Sequence, residues 1–449
     1  MIRLNLEVVA RELGCKLPRS APEIHGVAID SRAVQAGNLF AALSGERSDG
    51  HDYVAVAARA GAVAALVSRP LSAALPQLVV DDVQTALGTL AAFWRRQHEL
   101  RVVAITGSNG KTTTKEMLGN ILATSASVLS TSGNLNNELG LPLTLFRLGP
   151  EHRYAVLEMG ASKPGDIRYL ARIAQPGVGV VTNVGPAHLQ GFGSEEGVAR
   201  AKGEIYQELP SDGVAVINAN EPWAALWREM SAAGRTITFG RGTNCDVRVA
   251  RAGQGVELDT PAGGFPLRLS LPGEHNVQNA LAATAMALAL GISPAQIRAG
   301  LEATRPVPGR LNMIHGDGGW TVIDDTYNAN PASLYAALQV LTGQPGERWL
   351  VLGDMKELGR NSRKMHAEMG EAARALGVAR LFAVGDASDA TVDAFGNGGR
   401  HFENIAALIK QLCAELRPGV SCLVKGSRSM GMERVVQAIS QDCEVREAG

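Results

Sequence analysis

Residues 101–116 read Arg-Val-Val-Ala-Ile-Thr-Gly-Ser-Asn-Gly-Lys-Thr-Thr-Thr-Lys-Glu, an apolar run followed by a glycine-containing turn. The apolar run predicts a short buried strand, the glycines predict a turn, and the residues from Lys111 onward predict a helix. Gly107 and Gly110 let the backbone approach an anion closely, because neither residue has a Cβ. Backbone N–H groups in such a turn and at the start of the helix point at bound phosphates. The stretch therefore predicts a nucleotide-binding loop in an α/β sheet.

Two side chains of this loop have the chemistry that phosphate binding needs. Lys111 supplies a positive charge for the β- and γ-phosphate oxygens, and Thr112 supplies a hydroxyl for Mg²⁺. The strict motif has a glycine where this chain has Ile105, so the loop has the shortened form Gly-x-x-Gly-Lys-Thr. A surface turn can also contain glycine, asparagine and lysine, but the order strand, turn and helix favours nucleotide binding.

The overall composition is that of an ordinary soluble protein with more than one domain. The 449 residues are 45% apolar and 19% charged, with 43 basic and 44 acidic side chains. A near-neutral chain with only 4% aromatic residues does not favour a nucleic-acid binder. The length predicts two to four domains with buried cores.

The cysteines and the N-terminus predict a cytoplasmic protein. The five cysteines, Cys15, Cys245, Cys413, Cys422 and Cys443, are scattered and form no Cys-x-x-Cys pair, which is typical of reduced thiols and offers no metal cluster. Charged residues appear too early for a signal peptide, and no uncharged apolar run is long enough for a membrane span.

Hydrophobic periodicity predicts three α/β domains, at residues 1–83, 84–311 and 312–449. The first is a small α/β module, the second a doubly wound, mostly parallel sheet that contains the phosphate loop, and the third a Rossmann-like α/β domain without a phosphate loop or a Gly-x-Gly-x-x-Gly turn of its own. Pro306, Pro308 and Gly309 mark the linker between the last two. Residues 244–271 alternate and predict a small antiparallel insertion with strands at 246–249, 255–258 and 267–271, and residues 276–290 predict a buried helix.

Polar residues follow several of the predicted strands. Glu158 ends one strand and His188 lies just beyond the next, at the edge where α/β sheets bind ligands. Glu158 is well placed to hold Mg²⁺ opposite Thr112, although a capping or ion-paired glutamate is the alternative. His188 is equally compatible with a structural role. Lys202, in a helix that begins with polar residues, reads on composition alone as a solvated surface lysine.

The segment at 322–331, Val-Ile-Asp-Asp-Thr-Tyr-Asn-Ala-Asn-Pro, follows a buried strand and ends at a proline that can begin a helix. Its carboxylates and amides could bind ribose hydroxyls or a peptide, although Asp-Asn loops often serve only as turns.

Taken together, these segments resemble the Mur ligase family, ATP-dependent enzymes that form amide bonds in peptidoglycan precursor synthesis. The resemblance covers essentially the whole chain and rests on residues 107–113, 131–142, 158–160, 183–188, 201–202 and 308–312. Residues 324–331, 351–359 and 424–428 resemble the branch that adds D-alanyl-D-alanine to UDP-N-acetylmuramoyl-tripeptide, and residues 30–32 and 37–45 resemble its UDP-sugar-binding domain. The Asp-Asn-Pro-Arg sequence of the branch that adds the third residue is absent.

The resemblance implies ATP and Mg²⁺ as cofactors, a monomer, and a reaction through an acyl phosphate. It also implies a role for each matching residue. ATP would contact Gly107, Ser108, Asn109, Gly110, Lys111, Thr112, Thr113, Asn279, Arg310 and Asp325; the metal would be held by Thr112, Glu158, His188 and a carbamylated Lys202; the UDP-sugar would contact Ser31, Arg32, Ser44, Asn136 and Asn137; the dipeptide would face Asn328 and Asn330; and Lys111, Lys202 and His188 would be catalytic.

Three functions remain open on the sequence. The first is the dipeptide ligase, and the second is a sister ligase, either the enzyme that adds the third residue or a folylpolyglutamate synthase. The third is a phosphate-loop NTPase that acts only as a conformational switch.

Overall fold

The computed structural model describes residues 1–17, 19–45, 48–185, 189–251 and 255–446. These residues form three successive α/β units, each with its own parallel sheet. No helix in these ranges is both long enough and apolar enough to cross a membrane.

The N-terminal unit contains a four-stranded parallel sheet in the order β3-β4-β5-β6 and an antiparallel pair, β1-β2. Its backbone joins the central unit directly, because the N–H of Ile2 donates to the carbonyl of Phe146 at 2.6 Å. Its elements are β1 (Arg3–Asn5), α1 (Leu6–Glu12), β2 (Glu23–His25), β3 (Val27–Ala28), β4 (Leu39–Ala41), α2 (Val54–Arg59), β5 (Ala64–Val67), β6 (Gln77–Val79) and α3 (Val83–Arg96).

The central unit is a nine-stranded sheet in the order β15-β14-β13-β12-β11-β10-β7-β9-β8, with helices on both faces. Its strands are β7 (Arg101–Thr106), β8 (Ser127–Ser130), β9 (His152–Glu158), β10 (Val178–Val181), β11 (Val214–Asn218), β12 (Arg235–Gly240), β13 (Val247–Arg251), β14 (Val256–Asp259) and β15 (Phe265–Leu267). Its helices are α4 (Lys111–Ala123), α5 (Gly140–Leu145), α6 (Asp166–Ala174), α7 (Leu189–Phe192), α8 (Glu195–Gln207), α9 (Ala224–Met230), α10 (Glu274–Ala289) and α11 (Pro294–Ala303).

The predicted antiparallel insertion is wrong in two respects. β13 pairs in parallel with β12, so this segment extends the main sheet, and only β14 and β15 are antiparallel. The third strand is also not at 267–271, because β15 spans Phe265–Leu267. Leu267 lies opposite Val256, the first residue of β14, so the residues after Leu267 have no partner strand.

The C-terminal unit is a six-stranded sheet in the order β16-β17-β21-β18-β19-β20, parallel except for β16. Its elements are β16 (Asn312–His315), β17 (Thr321–Asp325), α12 (Pro331–Thr342), β18 (Glu347–Gly353), α13 (Ser362–Ala375), β19 (Arg380–Val384), α14 (Ser388–Phe395), β20 (Gly399–Phe402), α15 (Ile405–Glu415), β21 (Val420–Lys425) and α16 (Glu433–Arg446). The predicted three-part α/β architecture is confirmed.

Candidate active site

A cleft of about 920 Å³ separates the carboxyl ends of the central strands from the C-terminal unit. The ends of two parallel strands on either side of β7 supply its floor, through Glu158 at the end of β9 and Thr182 just after β10. The segment after β17, including Tyr327 and Asn330, supplies the opposite wall. The cleft is therefore where an α/β sheet binds its ligand.

The phosphate loop has the backbone geometry predicted from its glycines. Gly110 has a φ of 80°, and a Cβ at this position would lie 2.3 Å from the Oδ1 atom of Asn279. The helix α4 begins at the next residue, Lys111, whose ammonium group donates to the carbonyl of Gly107 at 2.8 Å. Burial lowers the pKa of Lys111, and the nearby Arg310 lowers it further, whereas Glu158 opposes this change. The loop is thus preformed, with its cation folded back on it.

Thr112 and Glu158 meet beneath the loop. The hydroxyl of Thr112 donates to Glu158 Oε2 at 2.8 Å, and the amide of Asn136 donates to Glu158 Oε1 at 2.8 Å. Arg310, just after the predicted linker, donates to the hydroxyl of Thr112 at 2.9 Å. The structure therefore joins residues that are far apart in sequence into one chain of hydrogen bonds.

Lys202 is not a surface lysine, so the reading from composition alone is wrong. It lies on α8 with 2% of its surface exposed, and it lines the cleft. Burial, together with repulsion by Lys111, lowers its pKa to about 7. Within the described ranges no carboxylate forms an ion pair with it. The helix is polar at its start, but its inner face turns this lysine towards the phosphate loop.

The predicted ligand His188 lies outside the described residues, together with 186 and 187. The segment that leads to it is well anchored. Asn183 accepts from the backbone N–H of Asn109 at 2.9 Å and donates to its carbonyl at 3.0 Å. The backbone N–H of Val184 donates to Glu221 at 3.2 Å. The segment after β10 is thereby fixed to the phosphate loop on one side and to the end of β11 on the other.

Two predicted ATP contacts line the same cleft from opposite walls. Asn279, on α10, is buried and donates to Asn276 at 3.1 Å. Asp325, at the end of β17, forms an ion pair with Lys425, and its burial raises its pKa despite that partner. A nucleotide with its phosphates on the loop would lie between them.

The predicted dipeptide residues have different surroundings. Asn328 is exposed in the cleft, and its side chain accepts from the backbone N–H of Ala329 at 2.8 Å. Asn330 caps α12 by accepting from Ser333 and also donates to Asn109 Oδ1 at 2.8 Å. It therefore connects the C-terminal unit to the phosphate loop.

The predicted UDP-sugar residues divide between two places. Asn136 and Asn137 line the cleft, whereas Ser31, Arg32 and Ser44 do not. The latter follow β3 and β4, which are parallel neighbours, so all three lie at one edge of the N-terminal sheet.

Several cleft residues were given no role from the sequence. Tyr327 stacks on Arg310, with the guanidinium carbon 4.0 Å from the ring centroid. Glu221 has a pKa raised to about 7, mainly by burial, and His275 has a pKa lowered to about 4, again mainly by burial. Arg428 lines the cleft after β21. Tyr327 and Arg428 lie in segments on which the family resemblance rests, so the sequence could have indicated both. Glu221 lies after a strand and His275 at the start of a helix, and nothing else in the sequence points to them.

The described residues contain no group of three or more His, Cys, Asp or Glu side chains that could hold a metal ion. Mg²⁺ does not need such a group, because it usually binds one or two carboxylates together with substrate phosphates and waters. The hydroxyl of Thr112 and the carboxylate of Glu158 are buried hard oxygen ligands within hydrogen-bonding distance of each other. These residues fit Mg²⁺ when a phosphate is bound beside them.

Comparison with known proteins gives matches over the whole chain. The UDP-N-acetylmuramoyl-tripeptide–D-alanyl-D-alanine ligase of Escherichia coli K12 is 44% identical, over 98% of this chain and 99% of that protein. A crystal structure of MurF from Acinetobacter baumannii has a TM-score of 0.92 at 39% identity and covers 98% of this chain and 99% of that one. MurF from Thermotoga maritima in complex with ADP has a TM-score of 0.84 at 31% identity and covers 94% of this chain and 98% of that one.

Family models match all three units. They are the Mur ligase family catalytic domain at residues 23–95, the Mur ligase middle domain at 105–287, and the Mur ligase glutamate ligase domain at 309–428. In this order, the three matches correspond to the N-terminal sheet, the central sheet with the phosphate loop, and the C-terminal sheet on the other side of the cleft. The chain belongs to the Mur ligase family.

Proposed function

We propose that this protein is the ATP-dependent ligase that joins D-alanyl-D-alanine to UDP-N-acetylmuramoyl-tripeptide in peptidoglycan precursor synthesis. The observation that carries the proposal is the hydrogen-bonded chain from Arg310 through Thr112 to Glu158, which brings a phosphate loop, a carboxylate and a cation from beyond the linker to one point. The similarity to D-alanyl-D-alanine ligases along the full chain supports the choice of substrates.

The reaction begins at the tripeptide carboxylate, which attacks the γ-phosphorus of ATP and releases ADP. The dipeptide amine then attacks the resulting acyl phosphate, forms the amide and releases phosphate. Negative charge accumulates on the transferred phosphoryl group. The protein's main contribution is therefore to position the substrates and to neutralise that charge. Lys111 and the N-terminus of α4 supply that neutralisation on one side, and Arg310 supplies it from the other.

Thr112 and Glu158 would hold Mg²⁺, and we propose that His188 and a carbamylated Lys202 complete its surroundings. A bound Mg²⁺ would supply a Lewis acid beside the phosphates. The buried position of Lys202 supports the carbamate, because an amine with its pKa lowered to about 7 is about half neutral at that pH, and the neutral amine can react with carbon dioxide. A carbamate would also replace a buried cation next to Lys111 with an anion.

We also propose how the substrates are distributed. Residues 1–83 would bind the UDP-sugar through Ser31, Arg32 and Ser44, with Asn136 and Asn137 holding its peptide arm. Residues 84–311 would bind ATP, and residues 312–449 would bind the dipeptide near Asn328 and Asn330. The protein would act as a cytoplasmic monomer. Separation of the UDP-sugar residues from the cleft supports this division, because the extended muramoyl-peptide has to reach from one sheet to the other.

The test is a coupled assay with ATP, UDP-N-acetylmuramoyl-tripeptide and a panel of amines. We expect phosphate release only with all substrates present and pentapeptide formation with D-alanyl-D-alanine. Equal or better use of a diamino acid or of glutamate would assign a sister ligase instead. ATP hydrolysis that does not respond to the UDP-sugar would leave only the nucleotide-dependent switch.

A further inference from the structure

The proposed amine substrate has a second charged group that the assignments above leave without a partner. D-alanyl-D-alanine reacts through its amine, and its terminal carboxylate enters the cleft unchanged. A carboxylate that loses water on binding needs a charge-assisted partner to offset the loss. This inference rests on the proposed function and asks which cation of the cleft binds that carboxylate.

Four cations among the described residues line the cleft on the side of the central sheet. Lys111 lies on the phosphate loop and Lys202 lies buried beside it. Arg241 forms an ion pair with Glu274 at 2.6 Å, and Arg305 donates to a serine hydroxyl at 3.2 Å. All four belong to the wall on which ATP is proposed to bind.

The opposite wall offers fewer cations. Arg310 donates to Thr112, and Lys425 is paired with Asp325. Arg428 is different, because its only ion-pair contact in the described part of the chain is to Glu433 at 3.6 Å, which is longer than a hydrogen bond. With 65% of its side chain exposed, Arg428 can turn its guanidinium to a ligand without losing a buried contact.

The backbone beneath Arg428 is held firmly. Its neighbour Ser427 donates its N–H to the carbonyl of Asp354 at 3.0 Å and accepts from the N–H of Lys356 at 2.8 Å. The segment after β21 is thereby attached to the segment after β18. A fixed backbone with a free planar guanidinium is suited to binding a carboxylate through two parallel hydrogen bonds.

The distances also fit a dipeptide. The ring of Tyr327 lies close to both Arg310 and Arg428, whose guanidinium carbons are 4.0 Å and 5.8 Å from its centroid. The two cations are thus less than about 10 Å apart, and two extended residues span about 7 Å. A dipeptide whose carboxylate rests on Arg428 can therefore extend its amine to the Arg310 side, where the acyl phosphate would form.

We propose that Arg428 binds the terminal carboxylate of the dipeptide and thereby selects an amine substrate with a free carboxylate about two residues from its amine. Asn328, exposed on the same wall, would lie along the dipeptide between its two ends.

The experiment compares D-alanyl-D-alanine with its C-terminal amide, which keeps the amine but lacks the negative charge. For the unmodified enzyme we expect kcat/KM to be ~10- to 100-fold lower with the amide, since a hydrogen bond to a charged group is lost. In Arg428→Ala, kcat/KM for the dipeptide should fall to the value for the amide, so that the preference disappears. Arg428→Lys should keep part of it. The KM for ATP should not change in either variant.

Arg363→Ala is the matched control, because Arg363 has the same 65% exposure and forms an ion pair with a carboxylate, Asp389, but does not line the cleft. It should keep the full preference. If Arg428→Ala keeps the preference as well, the inference about Arg428 is wrong while the ligase assignment stands. If the unmodified enzyme couples neither amine, the proposed function fails, and the inference fails with it.

Discussion

The replacement Glu221→Gln tests the electrostatics of the cleft through its effect on stability. Glu221 follows β11, accepts from the N–H of Val184 at 3.2 Å and is partly buried. Its pKa is raised from 4.5 to about 7, mainly by burial; the hydrogen bond from Val184 opposes this rise, and repulsion by Glu195 contributes to it. Glutamine resembles the protonated carboxyl and can still accept from Val184, so the exchange removes the ionisation and keeps the contact.

The sign follows from the order of the two pKa values. Below 4.5 both the folded and the unfolded chain hold the proton, so the ionisation of Glu221 does not affect stability. Between pH 4.5 and about pH 7 only the folded chain keeps the proton on Glu221. The folded state therefore loses stability as the pH rises through this range, and the loss is complete above pH 7. The full difference corresponds to about 3 kcal/mol at 1.36 kcal/mol per pH unit. Because the carboxylate retains some contact with solvent, we expect about 1–2 kcal/mol.

The assay is thermal unfolding of the unmodified protein and the variant from pH 5 to pH 8.5. For a domain of the size of the central unit, about 1–2 kcal/mol corresponds to a change of ~2–8 °C in melting temperature. At pH 8 the Glu221→Gln variant should therefore melt at a higher temperature than the unmodified protein, and at pH 5 the difference should be much smaller. Glu229→Gln, an exposed carboxylate on α9, should show no pH-dependent difference. A stabilisation by Glu221→Gln that is equal at both pH values, or a destabilisation that grows with pH, would refute the reasoning.

Three further predictions concern the phosphate site. Gly110→Ala places a Cβ against Asn279 and forces a left-handed φ on alanine. The resulting strain of ~1–2 kcal/mol should lower kcat/KM for ATP at least ~10-fold. Unchanged ATP kinetics would contradict the loop geometry. Tyr327→Ala removes the ring that stacks on Arg310 and should lower kcat/KM for ATP ~2- to 30-fold, whereas Tyr327→Phe should be nearly unaffected; equal effects of the two variants would exclude stacking as the cause. Lys202→Ala should lower kcat ~10²- to 10³-fold and be partly rescued by short carboxylate anions, and a fully active variant would remove Lys202 from the site.

Much of the fold was readable from the sequence because its strands are buried on both faces. The strands β7, β9, β10 and β11 each contain a continuous buried run, and a run of this kind ends where a polar residue such as Glu158 appears. The sheet edge was harder to predict. Residues 244–271 alternate as antiparallel strands do, but alternation does not reveal which neighbour a strand pairs with, and β13 joins β12 in parallel.

The site was readable only where its residues lie next to a strand end. Glu158 could be placed opposite Thr112 because it ends a strand of the sheet that contains the phosphate loop. The structure shows that β7 and β9 are neighbours, and the two side chains are 2.8 Å apart. The bonds from Arg310 to Thr112 and from Asn330 to Asn109 cross between sheets. They depend on how one unit packs against the other, and the periodicity of a single strand or helix contains no information on that packing.

Lys202 shows where composition misleads and why. A helix that begins Glu-Glu-Gly-Val-Ala-Arg-Ala-Lys has enough polar residues to be read as a surface helix, yet α8 buries both Lys202 and Glu204. A buried lysine with its pKa lowered to about 7 is costly for the fold, because burial disfavours its charged form and Lys111 repels it. A small apolar residue at this position would make the folded protein more stable. Stability alone therefore does not account for a lysine there. We propose that chemistry at its amine does, because Lys202 lines the cleft close to Lys111 of the phosphate loop.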